Sequence, residues 1–278
     1  MGAPLLPLWY GTLFGAPLVA AGRDLAAPLL AVDEVCKIAF AAVFMHGALR
    51  LSGRSRTAAV AGAVLYAFSS YVIVGGGWTI LSVEAAYLAL LLYAAERGRR
   101  TGAGARGPSA GALIALCFPM FLYLDALAVA AWILARATGV RDVVATGARV
   151  AACGALGVAL GAALLFPTLW LVLHSPRGSG EVSYAAALLA QPPWELASAH
   201  ELRTAAARLL SADLLGTGDA FSGWGNYLEA PLYACGVATL LLVPQVFALG
   251  DRSVRRRYGA AFAVVVAGTF FPFLSNAL

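Results

Sequence analysis

Two carboxylates stand inside apolar stretches of this chain: Glu84 in Leu81-Ser82-Val83-Glu84-Ala85, and Asp125 in Phe121-Leu122-Tyr123-Leu124-Asp125. A charged side chain at the centre of a bilayer costs on the order of 2.5–3.5 kcal/mol even on a lenient insertion scale, so such residues persist for a bond or a function. Glu84 suits either a polar contact between helices or a substrate-binding role. Asp125 better suits a structural bond to a neighbouring helix or to broken backbone. A second group occupies a polar stretch: Arg177 in His174-Ser175-Pro176-Arg177-Gly178, then Glu181, Trp224, Asn226, Tyr227 and Glu229. An arginine just past a helix end can hold phosphate through a bidentate, charge-assisted contact, although a solvated arginine has the same sequence appearance. Glu229 stands beside Pro231 at the threshold of an apolar run, where a carboxylate caps a helix as readily as it catalyses. Trp9, Tyr10, Trp224 and Tyr227 also fit interfacial aromatics.

Signatures of soluble enzymes are lacking: there is no Walker loop, HExxH or GxSxG, and His46, His174 and His200 are scattered. Cys36, Cys117, Cys153 and Cys235 fall in or beside apolar segments without a CxxC, and read as small apolar residues. Neither a metal nor a cofactor is expected.

The elements that must position these residues are membrane helices. Of 278 residues, 61% are apolar and 12% charged, against roughly 45–50% and about 25% in ordinary soluble domains. The net charge of +5 does not indicate nucleic acid, because the basic residues punctuate apolar runs rather than forming one face. A crossing needs about 20 mostly apolar residues, and the candidate spans are 35–51, 57–75, 78–95, 149–173, 230–250 and 259–277. A longer run, 110–135, contains Pro119 near its middle, a natural break point. Fourteen of the nineteen basic residues lie in four connectors: Arg50, Arg54 and Arg56; Arg97, Arg99, Arg100 and Arg106; Arg136, Arg141 and Arg149; Arg252, Arg255, Arg256 and Arg257. The positive-inside rule makes those connectors cytoplasmic.

An even number of crossings must separate successive cytoplasmic loops. Spans 57–75 and 78–95 satisfy this, joined outside by Gly75-Gly76-Gly77, as do 149–173 and 230–250. The run 110–135 then has to be a re-entrant or broken pair of short helices. The expected fold is therefore all-α, a polytopic transmembrane bundle of about seven to eight membrane segments in a single domain, residues 1–278. Within it, 1–34 is part of a first external loop, 35–173 the helical core, 174–229 an extracytoplasmic loop and 230–278 the last two spans. The loop holds three basic and six acidic residues. After Pro192-Pro193, Leu196, Leu202, Ala206, Leu209 and Leu210 recur at helical spacing, which predicts an amphipathic helix over 195–210 on the outer membrane surface. Residues 1–34 lie outside on this count yet lack a charged n-region and a cleavage site, so the chain is expected to be an internal piece of a longer protein.

Read in order, several short motifs resemble bacterial YfhO-type membrane proteins of the GT-C-like glycosyltransferase superfamily. They are Pro7-Leu8-Trp9, Phe14-Gly15-Ala16-Pro17-Leu18 with Pro28, Leu65-Tyr66-Ala67-Phe68-Ser69-Ser70-Tyr71, Phe166-Pro167-Thr168, Ser175-Pro176-Arg177-Gly178, Pro192-Pro193-Trp194-Glu195-Leu196, Leu215-Gly216 and Trp224-Gly225-Asn226-Tyr227-Leu228-Glu229 with Tyr233 and Gly236. The resemblance implies a multi-pass enzyme of the bacterial plasma membrane. It would transfer a sugar from a polyprenyl-phosphate donor to a cell-envelope glycopolymer such as lipoteichoic acid, with membrane lipid as its surroundings. It further implies Arg177 as a contact to the carrier phosphate, with Tyr227, Asn226 and Glu229 as sugar contacts. The family's catalytic acid precedes the stretch matched here, and Asp24 is the external acid nearest that position, a solvated loop carboxylate being its other reading. Two further classes fit the same residues: a flippase or transporter of a lipid-linked substrate, for which the broken run with Asp125 speaks, and a non-catalytic membrane scaffold subunit.

Overall fold

The computed structural model describes residues 14, 23–77, 79–101, 121–174, 190, 192, 194–211, 213–225 and 236–271. Among them regular structure is helical throughout, with no strand, as the sequence requires. The helices are α1 (Ala26–Leu51), α2 (Arg56–Ala67), α3 (Ser70–Gly75), α4 (Thr79–Thr101), α5 (Phe121–Arg136), α6 (Val140–Leu160), α7 (Ala162–Leu173), α8 (Ala199–Leu210), α9 (Val237–Leu249) and α10 (Arg252–Phe270). They fall into two compact units, one of residues 1–125 and 138–161, the other of 126–137 and 162–278.

In the first unit α4 is central. It packs against α1, α3 and α6, while α2 packs against α1. The seams are built from small residues. Ala59, Ala63 and Ala67 form one buried row along α2, Ala41 and Ala48 lie on α1, and Ala85, Ala86 and Ala89 on α4. Small side chains let helix backbones approach closely, the usual means of association where no hydrophobic drive separates helix from lipid. Gly47 shows how close: a Cβ there would come within 2.8 Å of the Tyr93 ring. Larger rings fill the remaining space, with Phe40 6.4 Å from Tyr87 and Phe44 5.5 Å from Tyr93 between ring centres.

The outer surface of this unit is apolar. Val35, Val43, Val60, Val64, Phe68, Val140, Val144, Leu156 and Leu160 are all exposed, whereas Lys37, Glu84 and Glu96 are buried. Exposed apolar area with charge inside is the reverse of a soluble protein's arrangement. Two helices are long and apolar enough to cross a membrane, Arg56–Gly75 (α2 with α3) and Val140–Leu160, and only 28% and 11% of their apolar stretches are buried. A soluble core helix would be mostly covered, so these two point to membrane association. Helix α1 is longer, at 26 residues, but Asp33, Glu34 and Lys37 interrupt it.

Charges sort to opposite ends of the unit. The arginine-bearing turn after α1 lies beside the end of α4, with Gly53 against the Arg100 guanidinium and Arg50 Nη1 donating to Arg54 O at 2.7 Å. At the same end Arg99 bonds Glu96 at 2.7 Å. Asp142, at the start of α6, accepts from Thr138 N at 3.0 Å and from Thr146 Oγ1 at 3.1 Å. At the other end Glu34 reaches the α3–α4 turn, where a Cβ on Gly76 would approach its Oε2 to 2.8 Å.

Several boundaries differ from the expected spans. Helix α1 begins at Ala26 rather than 35, because Pro28 is tolerated in a first turn and the acids that follow are paired within the helix. The span expected at 57–75 bends at Phe68-Ser69, and the one expected at 149–173 divides at Gly161 after starting at Val140. The Asp142 bonds to Thr138 cap that early start, leaving Arg141 and Arg149 exposed on the helix rather than in a loop. Helix α5 fills the second half of the 110–135 run, and Pro119 lies outside the described residues. In the stretches expected as the two last spans, 230–250 and 259–277, the described residues form α9 and α10, neither of which is among the helices long and apolar enough to cross a membrane.

In the second unit, α8 begins at a capping box: Ser198 Oγ accepts from Glu201 N at 3.2 Å, and Glu201 Oε2 accepts from Ser198 N at 2.6 Å. Such a cap is worth about 1 kcal/mol. Just before it, Ala197 N donates to Phe270 O at 2.9 Å, so α8 is tied to the end of α10 remote from Arg252, Arg255, Arg256 and Arg257.

Candidate functional site

Chemistry in the first unit gathers toward the end away from the arginines, where three helices bring charge into the interior. On α1, Asp33, Glu34 and Lys37 follow one another at the i, i+3 and i+4 spacing that places side chains on one helix face. Lys37 is fully buried. Its ammonium lies 2.8 Å from Asp33 Oδ2 and 2.6 Å from Glu34 Oε1, and it donates across to Ser82 Oγ of α4 at 3.4 Å. Two of these contacts are hydrogen bonds, to Glu34 and Ser82, and the third is an ion pair with Asp33.

Two residues beyond Ser82 comes Glu84, about 7.5 Å along α4 from Thr79 at 1.5 Å per residue. Glu84 and Asp125 are each 4% exposed. Their carboxyls are neighbours. No donor among the described residues reaches either oxygen of Glu84 or Oδ2 of Asp125. Tyr66 of α2 borders both acids and is flanked by Tyr71, but its hydroxyl donates to Ala85 O at 2.7 Å and supplies them nothing. The result is a carboxyl pair enclosed by protein.

The second unit holds a different device. Thr204 and Arg208, one turn apart on α8, are buried and bind the segment that follows. Thr204 Oγ1 accepts from Trp224 N at 2.9 Å, and Arg208 Nη2 donates to Trp224 O at 3.0 Å. The guanidinium also covers the Phe221 ring at 5.7 Å, a cation–π contact. Ser222 N donates to Leu215 O at 2.8 Å, closing the intervening loop. Gly216 has φ +81°, and a Cβ there would collide with Ala220 O, so the turn requires glycine. Beside the exposed His200 and Arg203, α8 and its flanks leave Trp194, Leu196, Leu209, Leu210 and Leu214 exposed.

Of the residues named from sequence, Glu84 is buried and meets Asp125. Asp24 is exposed in a 3-10 turn, Arg23–Leu25, and is not brought to the Glu84 group. Arg177, Asn226, Tyr227 and Glu229 lie outside the described residues. Lys37, Asp33 and Glu34 were not singled out from sequence, where Glu84 and Asp125 are read as the two charged groups within spans. The signal was present in the Asp-Glu-x-x-Lys spacing, hidden because a span drawn from residue 35 turns both acids into loop residues. Among the described residues no group of three or more His, Cys, Asp or Glu side chains is arranged to hold a metal. Comparison with family models, curated proteins and solved structures finds no match to this chain.

Proposed function

We propose that the chain is a multi-pass protein of a bacterial plasma membrane, a bundle of about seven to eight membrane segments, that works on a polyprenyl-phosphate-linked sugar at the outer face. In this reading it is a GT-C-type glycosyltransferase of the YfhO kind. An acceptor hydroxyl of a cell-envelope glycopolymer attacks the anomeric carbon and loses its proton to a carboxylate, and the bond to the carrier breaks so that polyprenyl phosphate departs. Arg177 would neutralise that departing phosphate, Tyr227, Asn226 and Glu229 would hold sugar hydroxyls, and Asp24 is the acid offered as base.

The observation that carries the reading is the clamp of Thr204 and Arg208 on Trp224. It fixes the polypeptide immediately before Asn226, Tyr227 and Glu229 to a helix whose apolar side chains are exposed. That helix is bonded to the arginine-free end of α10, where the positive-inside rule puts the outside. A reacting site on lipid-linked sugar needs such an arrangement, a fixed loop at the membrane surface.

One observation favours a second reading, a flippase or transporter of a lipid-linked substrate: the enclosed Glu84–Asp125 pair is the kind of intramembrane acid that marks ion-coupled pathways. The deciding experiment is Arg177→Ala in the intact protein in cells. Loss of sugar incorporation into the envelope with normal membrane insertion is expected, and unchanged incorporation removes Arg177 and the transferase reading with it. Proteoliposomes separate the two classes, since a transferase makes a new glycosidic bond and a flippase moves the lipid-linked sugar unchanged.

A further inference from the structure

Glu84 and Asp125 pose a problem of satisfaction. Ionised carboxylates only accept hydrogen bonds, and buried acceptors without a donor are rare because each forfeits its interaction with water. Both oxygens of Glu84 and Oδ2 of Asp125 lack a donor among the described residues. The groups around them are accounted for on each packed element. On α1, Lys37 is held by Asp33, Glu34 and Ser82. On α2, Tyr66 gives its proton to Ala85 O, and Tyr71 of α3 flanks Tyr66. On α6, the acid at the α4 interface is Asp142, which lies with Arg99 at the other end of α4, about 22 Å along the helix from Glu84. Two ionised carboxylates have no donor to offer each other, so the unmet acceptors call for a proton between them.

We propose that Glu84 and Asp125 form a proton-binding site, in which one carboxyl carries a proton and donates it to the other. The proton is the donor that the cluster otherwise lacks. It exchanges with water, and the two carboxyls share it as one site. Such a site is compatible with a transferase and with a flippase alike.

The test uses the full chain in lipid vesicles. Infrared spectroscopy should show a protonated-carboxyl carbonyl band at neutral pH that shifts in deuterium oxide, and the isosteric double variant Glu84→Gln/Asp125→Asn should lose it. The wild-type protein supplies an arm that does not depend on a variant folding. A hydrophobic carbodiimide, which adds to protonated carboxyls, should label Glu84 or Asp125 as read by mass spectrometry, leave the exposed Asp24 unlabelled, and lose that labelling as the pH is raised. A wild-type spectrum with only carboxylate bands, together with no labelling of either residue at acidic pH, would overturn the proposal. So would protection from labelling by sodium but not by choline at constant pH, which would make the pair a metal-cation site.

Discussion

Lys37 with its two acids and the Glu84–Asp125 pair both bury charge in one unit. In the first, a lysine stands in ion-pair contact with two carboxylates and neutralises one of their two charges. In the second, like groups adjoin and oxygens are left without a donor. The first cluster therefore joins α1 to α4, and the second holds an unmet demand that a ligand as small as a proton satisfies. A buried charge is evidence of function only after its partners have been counted.

The sharpest way to break this comparison is to remove the lysine. Lys37→Met leaves Asp33 and Glu34 without their counter-ion, and stranding buried charge costs about 3–5 kcal/mol. Loss of most folded protein is expected in a thermal melt of the detergent-solubilised chain, with substantial recovery when Asp33→Asn and Glu34→Gln are added. Replacing the carboxyl pair should do the opposite. Glu84→Leu/Asp125→Leu exchanges unsatisfied polar groups for apolar ones and should be neutral or stabilising by about 1–4 kcal/mol. A fall in melting temperature as large as that of Lys37→Met would show the pair to be a structural tie. Thr204→Val supplies a baseline from the other unit, where a buried but uncharged group loses its bond to Trp224. The cost should be about 1 kcal/mol, seen as faster limited proteolysis between residues 211 and 225.

Local signals in the sequence were readable where helix formation is itself local. The helix expected over 195–210 after the Pro192-Pro193 breaker is α8, which starts at Ala199 behind the Ser198–Glu201 capping box. The apolar stripe of that helix was also legible, and Leu209 and Leu210 are exposed. Boundaries were less so. The break after residue 160 follows Gly157 and precedes Gly161, in a run whose hydropathy is nearly continuous. A hydropathy window has nothing to register there. The early start of α1 was missed for a related reason, since paired charges count against a span one by one although the helix face cancels them together.

Amino-acid order alone settles the helical class and the predominance of apolar surface, because these follow from composition and from interactions within a few residues. It does not settle which buried charges are answered. Ser82 lies 45 residues from Lys37 in the chain, and Asp125 lies 41 beyond Glu84. Only the packing of α1, α4 and α5 decides that the lysine meets a hydroxyl while the glutamate meets another acid. Electrostatic energy in a low-dielectric interior depends on such separations in space, and sequence separation carries no record of them.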